Sequence, residues 1–334
     1  MIHKLCLKSF KCFEDKTILF APLTLLTGLN SSGKSSVLQA LRIAKEGKLL
    51  EGLGDTRDLR CSSSSDFPEI TVYFTSNTST TCTIAEFGAI KTDNITKYTD
   101  KLYYISADRF GPKVSLPFKS TVSHVGNYGE HVYAFLSQYR NQGGVPALLR
   151  HESIPDTSSI IEQIRAWLTI ITPGISFDFQ IYENADMSAG SFADYRPTNV
   201  GFGLSYALPL LVSILVNAAL ISTSEKDTTL LIENPEAHLH PRGQTQLGYF
   251  LALAAQCGVQ CIIETHSEHI LNGIRIAVKE GKTSSSNVIF NYFVKDLKTD
   301  LSEVTSIFTD EQGMLDSWPD GFFDETEHAL LRLI

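Results

Sequence analysis

The sequence predicts an α/β protein with a mixed sheet, antiparallel strands near its start and a mainly helical insertion in its middle. Three observations carry this expectation. A short apolar run at 23–27 leads into a glycine-rich turn and then into residues spaced as the buried face of a helix, giving a strand–loop–helix unit. Strand-like and helix-like segments alternate from 229 to 294, as they do where a parallel sheet is built. Between these two regions, at 111–190, the texture changes to loops and helices.

Taken in order, Ile2, Leu5 and Leu7 alternate with polar residues and 17–20 is a second β-rich run, so the first 27 residues read as strands. Val37, Leu38, Leu41, Ile43 and Ala44 form the apolar face of the first helix. The segment 55–66, with its serine run at 62–65, reads as an exposed loop. Strands are expected at 69–74, 81–87 and 102–106. In the middle block, 111–129 reads as loop, 130–141 and 158–171 as helices, and 175–181 as a strand. A mostly apolar stretch at 204–221 approaches the length of a bilayer span, but Pro209, Ser213 and Asn217 interrupt it and no Lys or Arg flanks it closely. It is read as a helix buried on all sides, with no membrane segment expected. A strand at 229–232, a helix at 242–256, a strand at 259–263, a helix at 268–279 and a strand at 288–294 complete the alternation. The stretch 302–316 reads as a hairpin turning near 310–313, and Phe322-Phe323 beyond it as a hydrophobic anchor.

Composition narrows the class. With 334 residues, 43% hydrophobic and 19% charged, the chain can bury a large core, which excludes disordered, collagenous and coiled-coil proteins. Its 28 Lys and Arg against 37 Asp and Glu give a net charge of −9, so nucleic acid would have to find a local basic patch against an unfavourable field. Six cysteines are scattered without a C-x-x-C pair, and the first residues lack the apolar core of a signal peptide. A reducing cytoplasm is the expected compartment.

The motifs carry chemistry. Gly28-x-x-x-x-Gly33-Lys34-Ser35 matches the phosphate-binding loop at each fixed position, between a strand and a helix as that loop requires. Glycines let main-chain N–H groups fold inward around a β-phosphate, the helix offers its positive end, Lys34 neutralises phosphate oxygens and Ser35 offers a hydroxyl to Mg²⁺. Asn30, Ser31, Ser32, Gly33, Lys34, Ser35 and Ser36 are the candidate nucleotide-binding residues, with ATP and Mg²⁺ as the expected cofactors. A triphosphate site needs a carboxylate at a strand end to hold the magnesium. Thr229-Leu-Leu-Ile-Glu233 supplies one, followed by Asn234-Pro235-Glu236-Ala-His238-Leu-His240-Pro241. Arg109, after the strand at 102–106, reads either as an arm toward nucleotide or partner or as half of a surface ion pair. His238, His240, His266 and His269 with Cys257 and Cys261 fit no zinc spacing.

These segments, with Asn199-Val-Gly201-Phe-Gly203-Leu-Ser205 and Thr265-His266-Ser267, occur in the order of an ABC-type ATPase head. The sequence resembles the SMC-like and OLD-like branch of that superfamily, particularly small prokaryotic AAA-family ATPases with an Ile-Glu-Asn-Pro-Glu-Ala-His-Leu-His-Pro strand and a Trp-Pro-x-Gly-Phe-Phe-Asp tail. The resemblance implies a P-loop ATPase head made of 1–110 and 191–334, interrupted by the insertion at 111–190. It implies that Gly201, Gly203 and Ser205 form a signature loop reaching the γ-phosphate held by a second subunit, and that His266 is the switch histidine sensing that phosphate. It implies a homodimer or higher homo-oligomer acting on an effector such as a nuclease encoded nearby, in anti-phage defence. One departure matters: where related transport ATPases carry a catalytic glutamate after the magnesium carboxylate, this chain has Asn234. An amide positions water but takes no proton, so Glu236 is a candidate substitute and hydrolysis is expected to be slow. The expected catalytic set is Glu233, Asn234, Glu236 and His266, with Ser35 and Glu233 on Mg²⁺. Two rivals stay open: a DNA repair or maintenance ATPase, and a non-hydrolysing scaffold that assembles on ATP.

Overall fold

The computed structural model describes residues 1–93, 101–224 and 227–333. In chain order its strands and helices are β1 (Ile2–Phe10), β2 (Phe13–Leu19), β3 (Leu23–Gly28), α1 (Lys34–Glu46), α2 (Thr56–Leu59), β4 (Glu69–Phe74), β5 (Ser79–Ile84), β6 (Ile90–Asp93), β7 (Leu102–Ile105) and β8 (Leu116–Pro117). There follow α3 (Val132–Tyr139), α4 (Ile160–Leu168), β9 (Phe177–Tyr182), β10 (Met187–Phe192), α5 (Phe202–Ser224), β11 (Thr228–Glu233) and α6 (Pro241–Gln256). The last are β12 (Val259–Glu264), α7 (Glu268–Lys279), β13 (Val288–Lys295), β14 (Ser302–Ile307) and α8 (Glu325–Leu333). The chain divides into two compact units, Met1–Leu102 with Ser285–Ile334 and Tyr103–Ser284.

In the first unit, β2, β1, β4, β5 and β6 form an antiparallel sheet in that order. Period-two alternation puts Leu5 and Leu7 of β1 in the core while Lys8 faces water. A second, mixed arrangement pairs β3 parallel to β13, and β13 antiparallel to β14. Every side chain of β3 before Gly28 is buried, as a strand covered on both faces requires. The amphipathic α1 buries Val37, Leu38 and Leu41 and packs on β3, β4 and β5.

In the second unit, β11 and β12 run parallel with Glu233 opposite Glu264, and β7 lies beyond β11. Helices α6 and α7 cross so closely that a Cβ on Gly248 would sit 2.2 Å from the Ile270 carbonyl oxygen. The block read from sequence as an insertion holds α3, α4 and a three-stranded antiparallel sheet in the order β8, β10, β9. Its helices α3 and α4 pack against α5, the long apolar helix, which also touches α6 and β12. Burial inside the unit thus explains why α5 is apolar all round: Leu210, Leu211, Ile214 and Leu215 are at most 1% exposed, each contributing about 2 kcal/mol. Its buried Asn217 is satisfied, donating to the Ser213 carbonyl at 2.7 Å and accepting from Thr228 at 3.3 Å.

Three readings of the sequence change. The segment 55–66 is not all exposed loop: Asp55 and Asp58 form a capping box that starts α2, which buries Thr56 and Leu59. The strand expected at 81–87 starts earlier and ends at Ile84, because Phe87 adopts φ 56° and lies 91% exposed. The expected hairpin at 302–316 is replaced by pairing of β14 with β13; the turn at 310–313 closes only the single bridge Thr309–Leu315. Phe322 is fully buried against Tyr292 and Trp318, as an anchor should be.

Candidate functional site

In the first unit, β3 ends on Gly28 with φ 138°, where a Cβ would meet the Phe293 carbonyl oxygen at 2.2 Å. The loop continues through Ser31 at φ 62° to Gly33 at φ 101°. A Cβ on Gly33 would lie 2.7 Å from both Cys12 Sγ and Phe13 Cζ, so conformation and contact each demand glycine there. Gly33 is the N-cap of α1, no side chain caps that helix, and its first turn carries no acid. An anion would therefore meet an uncontested helix dipole. Lys34 is 3% exposed, and its Nζ donates to the Gly28 carbonyl at 3.0 Å and the Leu29 carbonyl at 2.8 Å. Asn30 and Ser31 are exposed, Ser35 and Ser36 are half-buried, and Ser32 is buried with its hydroxyl oxygen lacking a hydrogen-bond partner. A left-handed loop of N–H groups, an ammonium and clustered hydroxyls fits a polyphosphate with its Mg²⁺.

In the second unit the strand end is built around Arg109. This side chain is 1% exposed; Nη1 donates to the carbonyls of Ser106 at 2.8 Å and Glu233 at 2.7 Å, and Nη2 to that of Asn234 at 2.8 Å. Burial pulls the guanidinium down to about 10, opposed first by Glu236 and then by Tyr206, Glu233 and Tyr104. Arg109 is thus neither a surface ion pair nor an arm reaching outward; it is an internal brace, and nothing in its sequence neighbourhood announces carbonyl partners more than a hundred residues away.

The braced turn has a defined geometry. Glu233 Oε2 accepts the Ala107 N–H at 3.2 Å. Asn234 sits at φ 43° and donates its N–H to the Glu264 carbonyl at 2.8 Å. Asparagine enters this left-handed region more readily than glutamate, so the turn itself favours the residue that departs from the transport-ATPase pattern. Glu236 Oε1 accepts the His266 N–H at 3.0 Å, tying the loop after β11 to the loop after β12, while Oε2 is buried without a hydrogen-bond partner. His266 itself is exposed, beside Ser267, whose hydroxyl caps α7 by accepting the Ile270 N–H at 3.2 Å.

The two glycines at the start of α5, Gly201 just before it and Gly203 in its first turn, are not equivalent. A Cβ on Gly203 would press to 2.8 Å from the His238 carbonyl oxygen, whereas Gly201 has open space around it. Ser205 is half-buried, one turn along. His238, at φ 62°, packs at a tilt against Phe202 and edge-on against Tyr206, with centroids at 5.3 and 4.5 Å. His240 Nδ1 accepts the Arg242 N–H at 3.3 Å and caps α6. Cys261 is fully buried with its thiol pushed up to about 12, and burial pushes Cys257 to about 11. Of the residues considered above for zinc, His238 packs against aromatic rings, His240 caps α6 and Cys261 lies in the core.

Residues 1–121 and 156–271 match the AAA ATPase domain family, and residues 284–333 match a family described as a protein of unknown function, DUF3696. No curated protein matches the chain. Among solved structures the chain is similar to an Smc head bound to the C-winged helix domain of ScpA, at 13% identity and TM-score 0.57 over 92% of this chain and 97% of that one. It is also similar to an Smc head domain with an extended coiled coil, bound to the C-terminal domain of ScpA and derived from Pyrococcus furiosus, at 12% identity and TM-score 0.56 over 99% of each chain. At these identities the likeness speaks of fold. The two-part family match, the strand–loop–helix phosphate cradle and this likeness together identify the chain as a member of the AAA ATPase domain family, with the fold of an SMC-like, ABC-type ATPase head.

Proposed function

We propose that the protein is an ATP-dependent switch: it binds ATP with Mg²⁺, pairs with a second copy around the nucleotide, hydrolyses it slowly and thereby controls a separate effector. The observation that carries this reading is the cradle at 28–36, with its left-handed backbone and its buried Lys34. In this reading Asn30 to Ser36 hold the phosphates, with Ser35 and Glu233 on the metal, which when bound supplies positive charge to the phosphate oxygens. Asn234 orients water, His266 senses the γ-phosphate, and Gly201, Gly203 and Ser205 present the start of α5 to the partner's nucleotide. Contacts from both subunits to one ATP favour the paired state by their differential affinity, and hydrolysis removes that bias.

The similar Smc heads were solved with a domain of another protein bound, which supports a docked partner here. A nuclease encoded nearby and a role in cytoplasmic anti-phage defence follow from the family resemblance. Asn234 also supports a second reading, a scaffold that assembles on ATP without hydrolysing it. Light scattering with and without ATP and Mg²⁺ tests the switch: mass should double with nucleotide. A monomer under both conditions would refute it. Turnover at or above about ten per second would refute slow hydrolysis, and no turnover in an ATP-induced dimer would favour the scaffold.

A further inference from the structure

We infer that Arg109 and Tyr206 are positioning residues for the start of α5, forming a joint through which the end of β11 sets how Gly201, Gly203 and Ser205 are offered to a second copy. The inference rests on the switch reading above and deepens it, giving a buried cation and one aromatic ring the task of linking the Glu233 turn to subunit pairing.

Both sides of the joint lie within the second unit. On one side the Arg109 fork takes the Glu233 carbonyl on Nη1 at 2.7 Å and the Asn234 carbonyl on Nη2 at 2.8 Å. A planar guanidinium bound to two successive carbonyls fixes their spacing and relative direction, which an ammonium cannot do. The Asn234 carbonyl also accepts the Ala237 N–H at 3.1 Å, so one oxygen ties the cation to the turn that leads on to His238. On the other side the Tyr206 ring centroid lies 5.4 Å from the guanidinium carbon, within the range of a cation–π contact. Arg109 is 1% exposed, so little water screens that attraction.

Tyr206 carries the constraint into the first turn of α5. Its ring meets His238 edge-on at 4.5 Å and lies 6.4 Å from Phe202, which itself packs on His238 at 5.3 Å. Gly203 approaches the same histidine's main chain so closely that a Cβ would lie 2.8 Å from its carbonyl oxygen. Arg109, Tyr206, Phe202 and His238 thus make one packed block, with the Asn234 turn at one end and the glycines of α5 at the other. Close packing transmits displacement instead of absorbing it, so a shift of the Glu233 and Asn234 carbonyls moves guanidinium, ring and helix start together. The block therefore connects the turn that bears Glu233 to the face offered to a second copy.

The test compares binding with pairing on the full chain, using a non-hydrolysable ATP analogue and Mg²⁺. Calorimetry reads binding, and light scattering over a range of protein concentrations reads pairing. Tyr206→Leu keeps apolar bulk at a half-buried position but removes the π face. It should bind the analogue within threefold of wild type and need at least about tenfold more protein to pair, since a dimer contains the joint twice. Tyr206→Phe keeps the ring and should pair within threefold of wild type. Arg109→Lys should weaken pairing by a similar factor to Tyr206→Leu, and the double variant should pair no worse than the weaker single one, as two members of one joint require. A role confined to stability would lower binding and pairing together. Tyr206→Leu that pairs as well as wild type, or fully additive effects in the double variant, overturns the inference and leaves the switch reading standing. If Arg109→Lys does not fold, the two Tyr206 variants decide the matter. A wild type that binds the analogue and stays monomeric overturns the switch reading and the inference with it.

Discussion

Replacing Lys34 by Met tests the phosphate cradle directly. The ammonium is 3% exposed and donates to the Gly28 and Leu29 carbonyls at 3.0 and 2.8 Å. When ATP binds, those bonds are exchanged for bonds to phosphate oxygens, in which both partners carry charge. A charge-assisted hydrogen bond contributes about 1.5–3 kcal/mol, so the loss of Lys34 should weaken ATP binding by about 100-fold, at 1.4 kcal/mol per factor of ten. Methionine fills much of the same buried space, so the nucleotide-free variant should melt close to wild type. At an ATP concentration of about 100 times the wild-type Kd, the wild type gains about 2.7 kcal/mol and the variant, now at its own Kd, about 0.4 kcal/mol. At about 2 °C per kcal/mol for a chain of this size, thermal shift should fall from about 5 °C to about 1 °C. Calorimetry should report the Kd change itself. A Kd within threefold of wild type, or a preserved thermal shift, would show that phosphate is held elsewhere.

Two further outcomes are expected. Gly203→Ala forces a Cβ to 2.8 Å from the His238 carbonyl, so it should cost about 1–3 kcal/mol in urea melts and abolish the ATP-induced doubling of mass while each monomer still binds ATP; Gly201→Ala, with open space, should do neither. Burial holds the Cys261 thiol at about 12 against the ordinary thiol value near 9, so the unfolded chain loses this proton first as pH rises. The stability it confers is complete below about pH 9 and is lost between about pH 9 and 12, at roughly 1.4 kcal/mol per unit. Cys261→Ala should flatten that alkaline slope in melts at pH 8 and 10, and an unchanged slope would refute the assignment.

What could be read from the sequence was what is local. The phosphate loop occupies nine consecutive residues whose neighbours supply its strand and helix, and α7 was legible to the residue because Ser267 caps it and its apolar side chains keep one period. Strand ends drifted where a tertiary contact decides them, as at Ile84 and in the pairing of β14 with β13. Short elements such as α2 and β6 lack the length for a periodic signal. Arg109 was illegible for a plainer reason: its value lies in main-chain carbonyls 124 and 125 positions away, and carbonyls have no letter in the sequence. Glu236 was visible as an acid, but the bond its Oε1 accepts from the His266 N–H emerges only when two loops meet.

The wrapping of α5 has a practical meaning for anyone seeking a minimal version of this protein. Residues 132–168 read as decoration between two halves of an engine, yet α3 and α4 shield a rod greasy enough to pass for a membrane anchor. Trimming them would strip the insulation from that rod, and the shortened polypeptide would be expected to clump or seek detergent before its chemistry could be assayed.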